Sequence, residues 1–202
     1  MDDDVSLLTA WKAGDRRAGT RLFERYYPAL ARYFRNKLSV GAEDLIQQTF
    51  TGCVEGLERV RSSATFRSYV FGVAHHVLCA HLRRRAREPV DLETVSIQDL
   101  APGPSSIHAR QEEQRLLLEA LRRIPVTHQA VLELHYWEQL SSEEMADVLG
   151  IPAPTARGRL MRARELLRES LAALTDNPEH LRSTVTRLEH WATQLRARLD
   201  VG

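Results

Sequence analysis

The sequence predicts an all-α protein of two small helical domains joined by a flexible linker, with a helix-turn-helix in the second domain and an extra helix at the C terminus. Apolar residues recur at spacings of three and four through most of the chain, and no stretch alternates with the period of two that strands require. A proline-containing acidic segment, residues 88–113, interrupts this pattern. Beyond it, residues 141–154 carry the capping signals of two helices joined by a tight turn.

The first domain is expected to span residues 1–87 and to contain three helices. Gly14, Asp15 and Pro28 punctuate its apolar pattern without ending it, whereas residues 39–41 break it. The predicted helices cover residues 5–38, 42–60 and 66–85, with a serine-rich loop at residues 61–65.

The linker is distinguished by its charge and its prolines. Residues 86–113 hold six acids against two arginines and contain three prolines. A segment of this composition buries little apolar surface, so we expect residues 88–113 to form a flexible acidic tether rather than a packed element.

The second domain is expected to span residues 114–174, and residues 175–202 form a C-terminal extension. In the extension, residues 178–199 carry an apolar seam like that of a coiled coil, too short to be stable alone. This segment is therefore either a helix packed permanently on the second domain or a regulatory helix that docks on the protein or on a partner. Helical patterning in the second domain covers residues 111–124, 127–137, 142–149 and 154–174.

Composition excludes several classes of protein. The net charge of +1 argues against indiscriminate nucleic-acid binding. No apolar run reaches the ~18 residues needed to cross a bilayer, and the acidic start MDDDVSLL is unlike a signal peptide. We therefore expect a cytoplasmic protein without membrane insertion, in which Cys53 and Cys79 are reduced thiols. Nothing resembles a nucleophile elbow, a phosphate-binding loop or a paired-carboxylate site, so we expect no enzyme and no cofactor.

The sharpest local motif is a helix-turn-helix. Ser141 and Glu144 have the spacing of a capping box, which predicts a helix start. Gly150 stands where a left-handed C-terminal cap requires glycine, and Pro154 suits the first turn of a following helix. A short helix, a tight turn and a second helix make up the layout of a DNA-binding helix-turn-helix.

The second helix of this motif carries the basic patch of the domain. The stretch TARGRLMRARELLR, residues 155–168, holds five arginines. An apolar stripe along one side predicts the buried face, and arginines lie off it. Because arginine can pair with guanine edges and bind phosphates, we interpret this helix as one that reads a DNA major groove. The stripe consists of Ala156, Leu160, Ala163, Leu167 and Leu171.

Longer stretches resemble a known family. LLLEALRRIPVTHQAVLELHYWEQLSSEEMADVLGIPAPTARGRLMRARELLRESL, residues 116–171, resembles the domain of bacterial sigma factors that reads the promoter −35 element. LLTAWKAGDRRAGTRLFERYYPALARYF, AEDLIQQTF and FRSYVFGVAHHVLCAHLRRR resemble their domain that binds polymerase and reads the −10 element. The order and spacing of these stretches are similar to those of the extracytoplasmic-function (ECF) class of the sigma-70 family, over about residues 5–173.

The resemblance implies a function and partners. Such a factor binds core RNA polymerase, through the β′ clamp helices and the β flap, and directs initiation at promoters whose DNA it helps to melt. Promoter DNA is therefore an implied partner, and an anti-sigma factor or another regulator is a further candidate. The implied polymerase-binding residues are Glu43, Asp44, Gln47 and Gln48, and their helical spacing can present an acidic-polar edge to a basic partner.

The resemblance also implies DNA contacts. The loop at residues 61–65 and the helix after it match the segment that captures unstacked bases at the −10 element, where aromatic stacking and arginine–phosphate contacts are suited to the task. The implied −10 residues are Arg61, Ser62, Ser63, Tyr69, His75, His76, Arg83 and Arg84. The implied −35 residues are Thr155, Arg157, Gly158, Arg159 and Arg162.

Several positions depart from the family pattern. Tyr69 stands where tryptophan is usual, His76 where asparagine is usual, and Ala80 where aspartate is usual. Gly72 occupies a position that often holds arginine. These departures affect the −10 sequence that would be read rather than the fold.

Parts of the sequence fit two other functions. A metal site would draw on His75, His76, Cys79 and His81, and His75 and Cys79 share a helix face at the i, i+4 spacing used by zinc ligands. No second ligand cluster accompanies them, so we expect no metal. The stronger alternative is a stand-alone helix-turn-helix regulator whose N-terminal half is an effector or dimerisation module.

Overall fold

The computed structural model describes residues 3–60, 66–86, 88–101 and 112–175. Within these ranges the regular structure is helical, and the one β-bridge joins Ser96 to Pro125. No helix in the described part of the chain combines the length and the apolar character that crossing a bilayer requires. The helices are α1 (Asp4–Lys12), α2 (Arg16–Arg35), α3 (Ala42–Glu55), α4 (Phe66–Arg85), α5 (Ile97–Leu100), α6 (Glu112–Arg123), α7 (Val126–Tyr136), α8 (Ser142–Leu149) and α9 (Ala153–Ala172).

The single helix predicted for residues 5–38 is wrong, because two helices occupy that range. Gly14 adopts a φ of 100°, which ends the helical path of α1. Asp15 then caps α2, since its carboxylate accepts a hydrogen bond from the Arg17 amide at 2.9 Å. Pro28, by contrast, lies inside α2 without ending it.

The first domain packs α1 to α4 around aromatic side chains. Trp11 meets Phe23 edge-on at 5.2 Å between ring centroids, and Phe23 stacks on Phe50 at 4.3 Å. Gly19 permits this packing, because a Cβ at that position would lie 2.8 Å from the Trp11 ring. The helix predicted over residues 42–60 is shorter than expected: α3 ends at Glu55, Gly56 is its C-terminal cap, and a 3₁₀ turn, Leu57–Arg59, follows.

The linker differs from the predicted extended tether over residues 91–101. Leu92 and Ile97 are 3% and 0% exposed, and α5 begins with a capping box at Ser96. Two backbone hydrogen bonds join this segment to the start of α7, from the Val126 amide to the Val95 carbonyl at 3.1 Å and from the Thr127 amide to the Leu92 carbonyl at 3.2 Å. The reason is that the apolar side chains of this segment, Leu92 and Ile97 among them, find a neighbour that covers them. Residues 102–111 lie outside the described residues.

The second domain, α6 to α9, agrees with the predicted helices to within two residues at each described end. α9 packs on α6, α7 and α8 through the predicted apolar stripe, all five members of which are buried. The helix predicted for residues 178–199 lies outside the described residues.

The two domains are in contact. α8 packs along α4, where a Cβ at Gly72 would lie 3.8 Å from the Val148 Cα. The C-terminal end of α2 meets α6 and α7 through buried polar side chains. The first helix of the helix-turn-helix is therefore held against the helix that was expected to face the −10 element.

Candidate functional site

The helix-turn-helix has the predicted geometry. Ser141 Oγ accepts from the Glu144 amide at 3.1 Å, and the Glu144 carboxylate accepts from the Ser141 amide at 2.8 Å. Gly150 adopts the left-handed conformation, with φ 65° and ψ 35°, and its amide donates to the Ala146 carbonyl. These caps fix the turn that orients α9 relative to α8.

The outward face of α9 carries most of the predicted −35 residues. Thr155, Arg157, Gly158 and Arg162 are exposed, opposite the buried stripe. A Cβ at Gly158 would meet nothing within 4 Å, so the backbone is uncovered at the centre of this face. Met161, which sequence reasoning did not single out, lies on the same face and is 64% exposed. The arrangement can present arginines and an apolar side chain to a groove.

The arginines of this face pair with acids of the same domain. Arg157 contacts Glu143 of α8 at 3.2 Å, and Arg162 contacts Glu165 at 2.9 Å. These pairs are half exposed, so their net contribution to stability is about 0–1 kcal/mol. A DNA phosphate can therefore replace the carboxylates at little cost.

Arg159 and Arg164 lie apart from the exposed face. The Arg159 side chain is only 12% exposed and pairs at 2.5 Å with Glu93 of the linker. Arg164 donates to the Tyr136 hydroxyl at 2.9 Å and lies over its ring. In this arrangement the Glu93 carboxylate of the linker pairs with Arg159, one of the arginines predicted to read the −35 element.

The predicted −10 residues on α4 separate into two groups. His76, Arg83 and Arg84 are exposed. Tyr69 instead points toward α3, where its hydroxyl donates to the Cys53 carbonyl at 3.2 Å, and His75 points into the domain. Arg61, Ser62 and Ser63 lie outside the described residues.

His75 lies in a buried polar cluster. Its Nδ1 is 3.1 Å from the Tyr33 hydroxyl and its Nε2 is 3.5 Å from Cys79 Sγ. Burial, and then the nearby Lys37 ammonium, lowers the pKa of His75 to about 4, so the ring is neutral at pH 7. In the described part of the chain, no group of three or more His, Cys, Asp or Glu side chains is placed to hold a metal ion.

The predicted polymerase-binding edge is exposed along α3. Glu43, Asp44, Gln47 and Gln48 all face solvent. Arg35 contacts Glu43 at 2.7 Å, and its hydrogen bond holds the pKa of that carboxyl below its usual value. Glu43 therefore stays anionic at neutral pH.

An apolar groove of about 340 Å³ lies beside this edge, between α2 and α3. Tyr27 and Val54, at its rim, are 42% and 54% exposed. An exposed apolar patch bordered by polar groups is typical of a protein-binding surface. The groove is lined by Phe23, Tyr27, Glu43, Ile46, Gln47, Phe50, Thr51 and Val54.

Sequence reasoning missed a buried ionic network between the domains. Lys37, at the end of α2, is 0% exposed and pairs with Glu133 of α7, and Arg32 pairs with Glu138 at 2.6 Å. Arg122 of α6 donates to three backbone carbonyls, those of Asn36, Lys37 and Ala101, at 2.7–3.0 Å. A charged residue inside an apolar helical run, such as Glu133 in VLELHY, was the available signal, but the sequence does not say which partner it meets.

Comparison with known families agrees with this geometry. The model for sigma-70 region 2 matches residues 22–88, and the model for sigma-70 region 4 matches residues 114–167. Together the two matches span more than half of the chain. The chain belongs to the sigma-70 family. Its relatives include factors of the ECF class.

This sigma factor is similar to the ECF RNA polymerase sigma-E factor of Haemophilus influenzae, with 23% identity over 183 residues that cover 85% of this chain and 96% of that protein. Its fold resembles that of CnrH, solved in complex with the cytosolic domain of CnrY, with a TM-score of 0.62 at 23% identity over 86% of this chain and all of that one. It also resembles RpoE of Bartonella quintana, solved with the anti-sigma factor NepR, with a TM-score of 0.59 at 18% identity over 78% and 98% of the two chains.

Proposed function

We propose that this sigma factor binds core RNA polymerase through α3 and its groove, reads the −35 element with α9, and reads and helps to melt the −10 element with α4 and the residues before it. The observation that carries the proposal is that one chain has two exposed surfaces of different chemistry. One is the acidic edge and apolar groove of region 2, and the other is the arginine-bearing face of α9 in region 4.

The polymerase-binding part of the proposal rests on the groove and the edge together. The groove offers apolar area for burial, and the neighbouring carboxylates, including Asp44, select a basic partner and its orientation. The β′ clamp helices of core polymerase are the candidate partner of this surface, and the β flap is the candidate partner of region 4.

The −35 part rests on α9. Its N-terminal residues Thr155 and Arg157 are exposed, and recognition helices read bases with their N-terminal residues. Gly158 leaves the backbone free to approach the groove closely.

The −10 part rests on α4. Exposed His76, Arg83 and Arg84 lie on it, with the arginines placed to bind phosphates. Arg61, Ser62 and Ser63, which precede α4, are proposed to hold unstacked bases.

Charge reversal of Asp44 tests the polymerase contact. Asp44→Arg should abolish capture of the protein by core polymerase, because it places a cation on the edge that selects a basic surface. Glu58→Arg, at an exposed acid in the turn after α3, is the matched control and should bind normally. Binding by Asp44→Arg at the wild-type level, with helix content intact, would refute this surface as the contact.

In vitro transcription with core polymerase on genomic DNA tests the whole proposal. A sigma factor gives specific starts only in the presence of core polymerase and binds DNA weakly alone. A stand-alone regulator would instead bind an operator tightly without polymerase. The region 2 match over residues 22–88 supports the first outcome, because it covers the half of the chain that a stand-alone regulator would use for an effector.

An anti-sigma factor is the proposed regulatory partner. Support comes from the likeness to RpoE of Bartonella quintana, which was solved with such a factor. Cofactors and enzymatic activity form no part of the proposal.

A further inference from the structure

We propose that α9 carries an apolar notch at Gly158, which takes the 5-methyl group of a thymine in the −35 element between Thr155 and Met161. We call these three residues the notch. The proposal rests on the proposed function and deepens it, because it names the base chemistry that one part of the reading helix selects. It also adds Met161 to the residues that determine promoter specificity.

The first observation is that the fold gives no reason for a glycine at position 158. Gly158 lies in the second turn of a helix of 20 residues, where glycine is the least favourable residue after proline. The other glycines of the described residues either have a positive φ or have an atom within 4 Å of the point that a Cβ would occupy. Gly158 has neither. A partner that approaches the helix closely at this point supplies the reason that the fold does not.

The second observation is the chemistry around the missing side chain. Thr155 and Met161 lie three residues before and after Gly158, so they share its side of α9. Their Cα atoms are about 9 Å apart along the helix axis, which leaves room for a methyl group between the two side chains. Helical side chains lean toward the N terminus, which brings the Met161 side chain, 64% exposed, toward Gly158. Because helical hydrogen bonds engage the backbone here, the surface between the two side chains is mostly apolar.

The major groove offers a single kind of apolar group to such a surface. Every base pair presents hydrogen-bond donors and acceptors there, and thymine alone adds a methyl group, on C5. Apolar side chains and the methyl group of threonine are the protein groups that contact this methyl in protein–DNA complexes. The base whose chemistry fits the notch is therefore thymine, on either strand of an A·T pair.

The charges beside the notch favour DNA as its occupant. Arg157 and Arg162 adjoin the notch, and both are exposed. Their carboxylate partners, Glu143 at 3.2 Å and Glu165 at 2.9 Å, are exposed as well. The phosphates that border a major groove can replace these carboxylates, which brings the base edges over the apolar surface between the two arginines. An apolar protein segment in the same place would leave both guanidinium groups without that gain.

Replacement of thymine by deoxyuridine tests the proposal, because it removes the methyl group and leaves every hydrogen-bonding group of the base pair in place. The probes are duplexes of a promoter found by in vitro transcription, in which each thymine of the −35 element is replaced in turn on either strand. The dissociation constant of the full-length factor with core polymerase should rise about fourfold at one thymine, as expected when one methyl group loses its contact. The other replacements should have little effect.

Two variants assign that loss to the notch. Met161→Ala removes one wall, and Gly158→Leu fills the space with a residue that keeps the helix stable. Each variant should bind the thymine promoter and the deoxyuridine promoter with equal affinity. Arg168→Ala, an exposed residue of the same helix outside the notch, is the matched control and should retain the fourfold difference.

Gly158→Ala should change stability and promoter binding in opposite directions. Alanine in place of an uncovered helix glycine should raise the midpoint of thermal unfolding by about 2–4 °C. The added Cβ occupies the space of the thymine methyl, so it should weaken binding to the thymine promoter at least about fourfold. A glycine that served the fold alone would show the reverse, a lower midpoint of unfolding and unchanged selection of thymine.

Three results would overturn the proposal: a −35 element of G·C pairs alone, no −35 thymine at which deoxyuridine weakens binding, or a deoxyuridine loss that persists in both Met161→Ala and Gly158→Leu. Each of these can occur in a factor that selects its promoters normally, so the proposed function would stand. If the wild-type protein with core polymerase does not prefer any promoter over unrelated DNA, the proposed function fails, and the notch fails with it.

Discussion

The Lys37–Glu133 pair gives a quantitative test of how the two domains depend on each other. Lys37→Met removes the ammonium and leaves the Glu133 carboxylate, 4% exposed, in the interface. Removing one partner of a buried pair costs about 3–5 kcal/mol. Asn36 and Gln129 still donate to Glu133, so we expect the lower end, a loss of about 3 kcal/mol in the free energy of unfolding.

The double-mutant cycle isolates the pair from its surroundings. Glu133→Gln alone leaves a buried ammonium and should also cost about 3 kcal/mol. Lys37→Met/Glu133→Gln leaves no buried charge at this point, so it should cost much less than the sum, with a coupling energy of about 2 kcal/mol or more. Lys12→Met is the matched control, because Lys12 is a lysine with a carbonyl partner outside the interface, and should cost about 1 kcal/mol or less.

Urea unfolding followed by far-ultraviolet circular dichroism measures each free energy. The single variants should also divide one transition into two with smaller slopes, because domains that no longer stabilise each other unfold separately. Additive losses, with a coupling energy below about 0.5 kcal/mol, would refute the reasoning.

Two further predictions concern DNA reading and pH. Arg157→Ala should cost about 1–3 kcal/mol of promoter-binding free energy and relax base preference at one or two −35 positions. Arg168→Ala, measured in parallel on the same promoter variants, should weaken binding to all of them equally. An equal loss on all variants from Arg157→Ala would make Arg157 a phosphate contact. The pKa of His75 is about 4 in the folded protein and about 6.5 in the unfolded chain. The contribution of the neutral ring to the free energy of unfolding is therefore complete above pH 6.5 and is lost as pH falls toward 4. The loss is at most about 3 kcal/mol. Urea unfolding of His75→Gln at pH 7 and pH 4.5 should show a smaller decrease than the wild type, and an equal decrease would contradict this assignment.

Local chemistry made the helix-turn-helix predictable. Ser141, Glu144 and Gly150 act through hydrogen bonds and backbone angles within a few residues of themselves. The apolar stripe of α9 was equally predictable, because the apolar residues of one amphipathic helix recur at the helical period. Equally local signals were missed at Gly14 and Asp15. There the end of one helix and the N-terminal cap of the next are adjacent, so one apolar pattern is divided between two helices.

What the sequence did not reveal depends on contacts between distant segments. Lys37 and Glu133 are separated by 96 residues. In the sequence each resembles an ordinary exposed charge of a helix, and nothing near either residue identifies the other as its partner. The packing of residues 91–101 was missed for a similar reason, since the burial of Leu92 and Ile97 depends on α6 and α7, which lie beside them only in the folded chain. Arg159 was predicted on the exposed face because the residue pattern of one helix carries no information about the linker residue, Glu93, that pairs with it.

The burial of the Lys37–Glu133 pair between the domains has a consequence for the response to ionic strength. Mobile ions screen exposed charges over a Debye length of about 8 Å at physiological salt, whereas a pair removed from solvent is screened much less. The arginines of α9 are half exposed, and any phosphate contact they make must weaken as counterions compete. Lys37 and Glu133 have almost no contact with the electrolyte. A rise in salt therefore weakens any contact between these arginines and DNA phosphates, while it leaves the attraction between the domains in place.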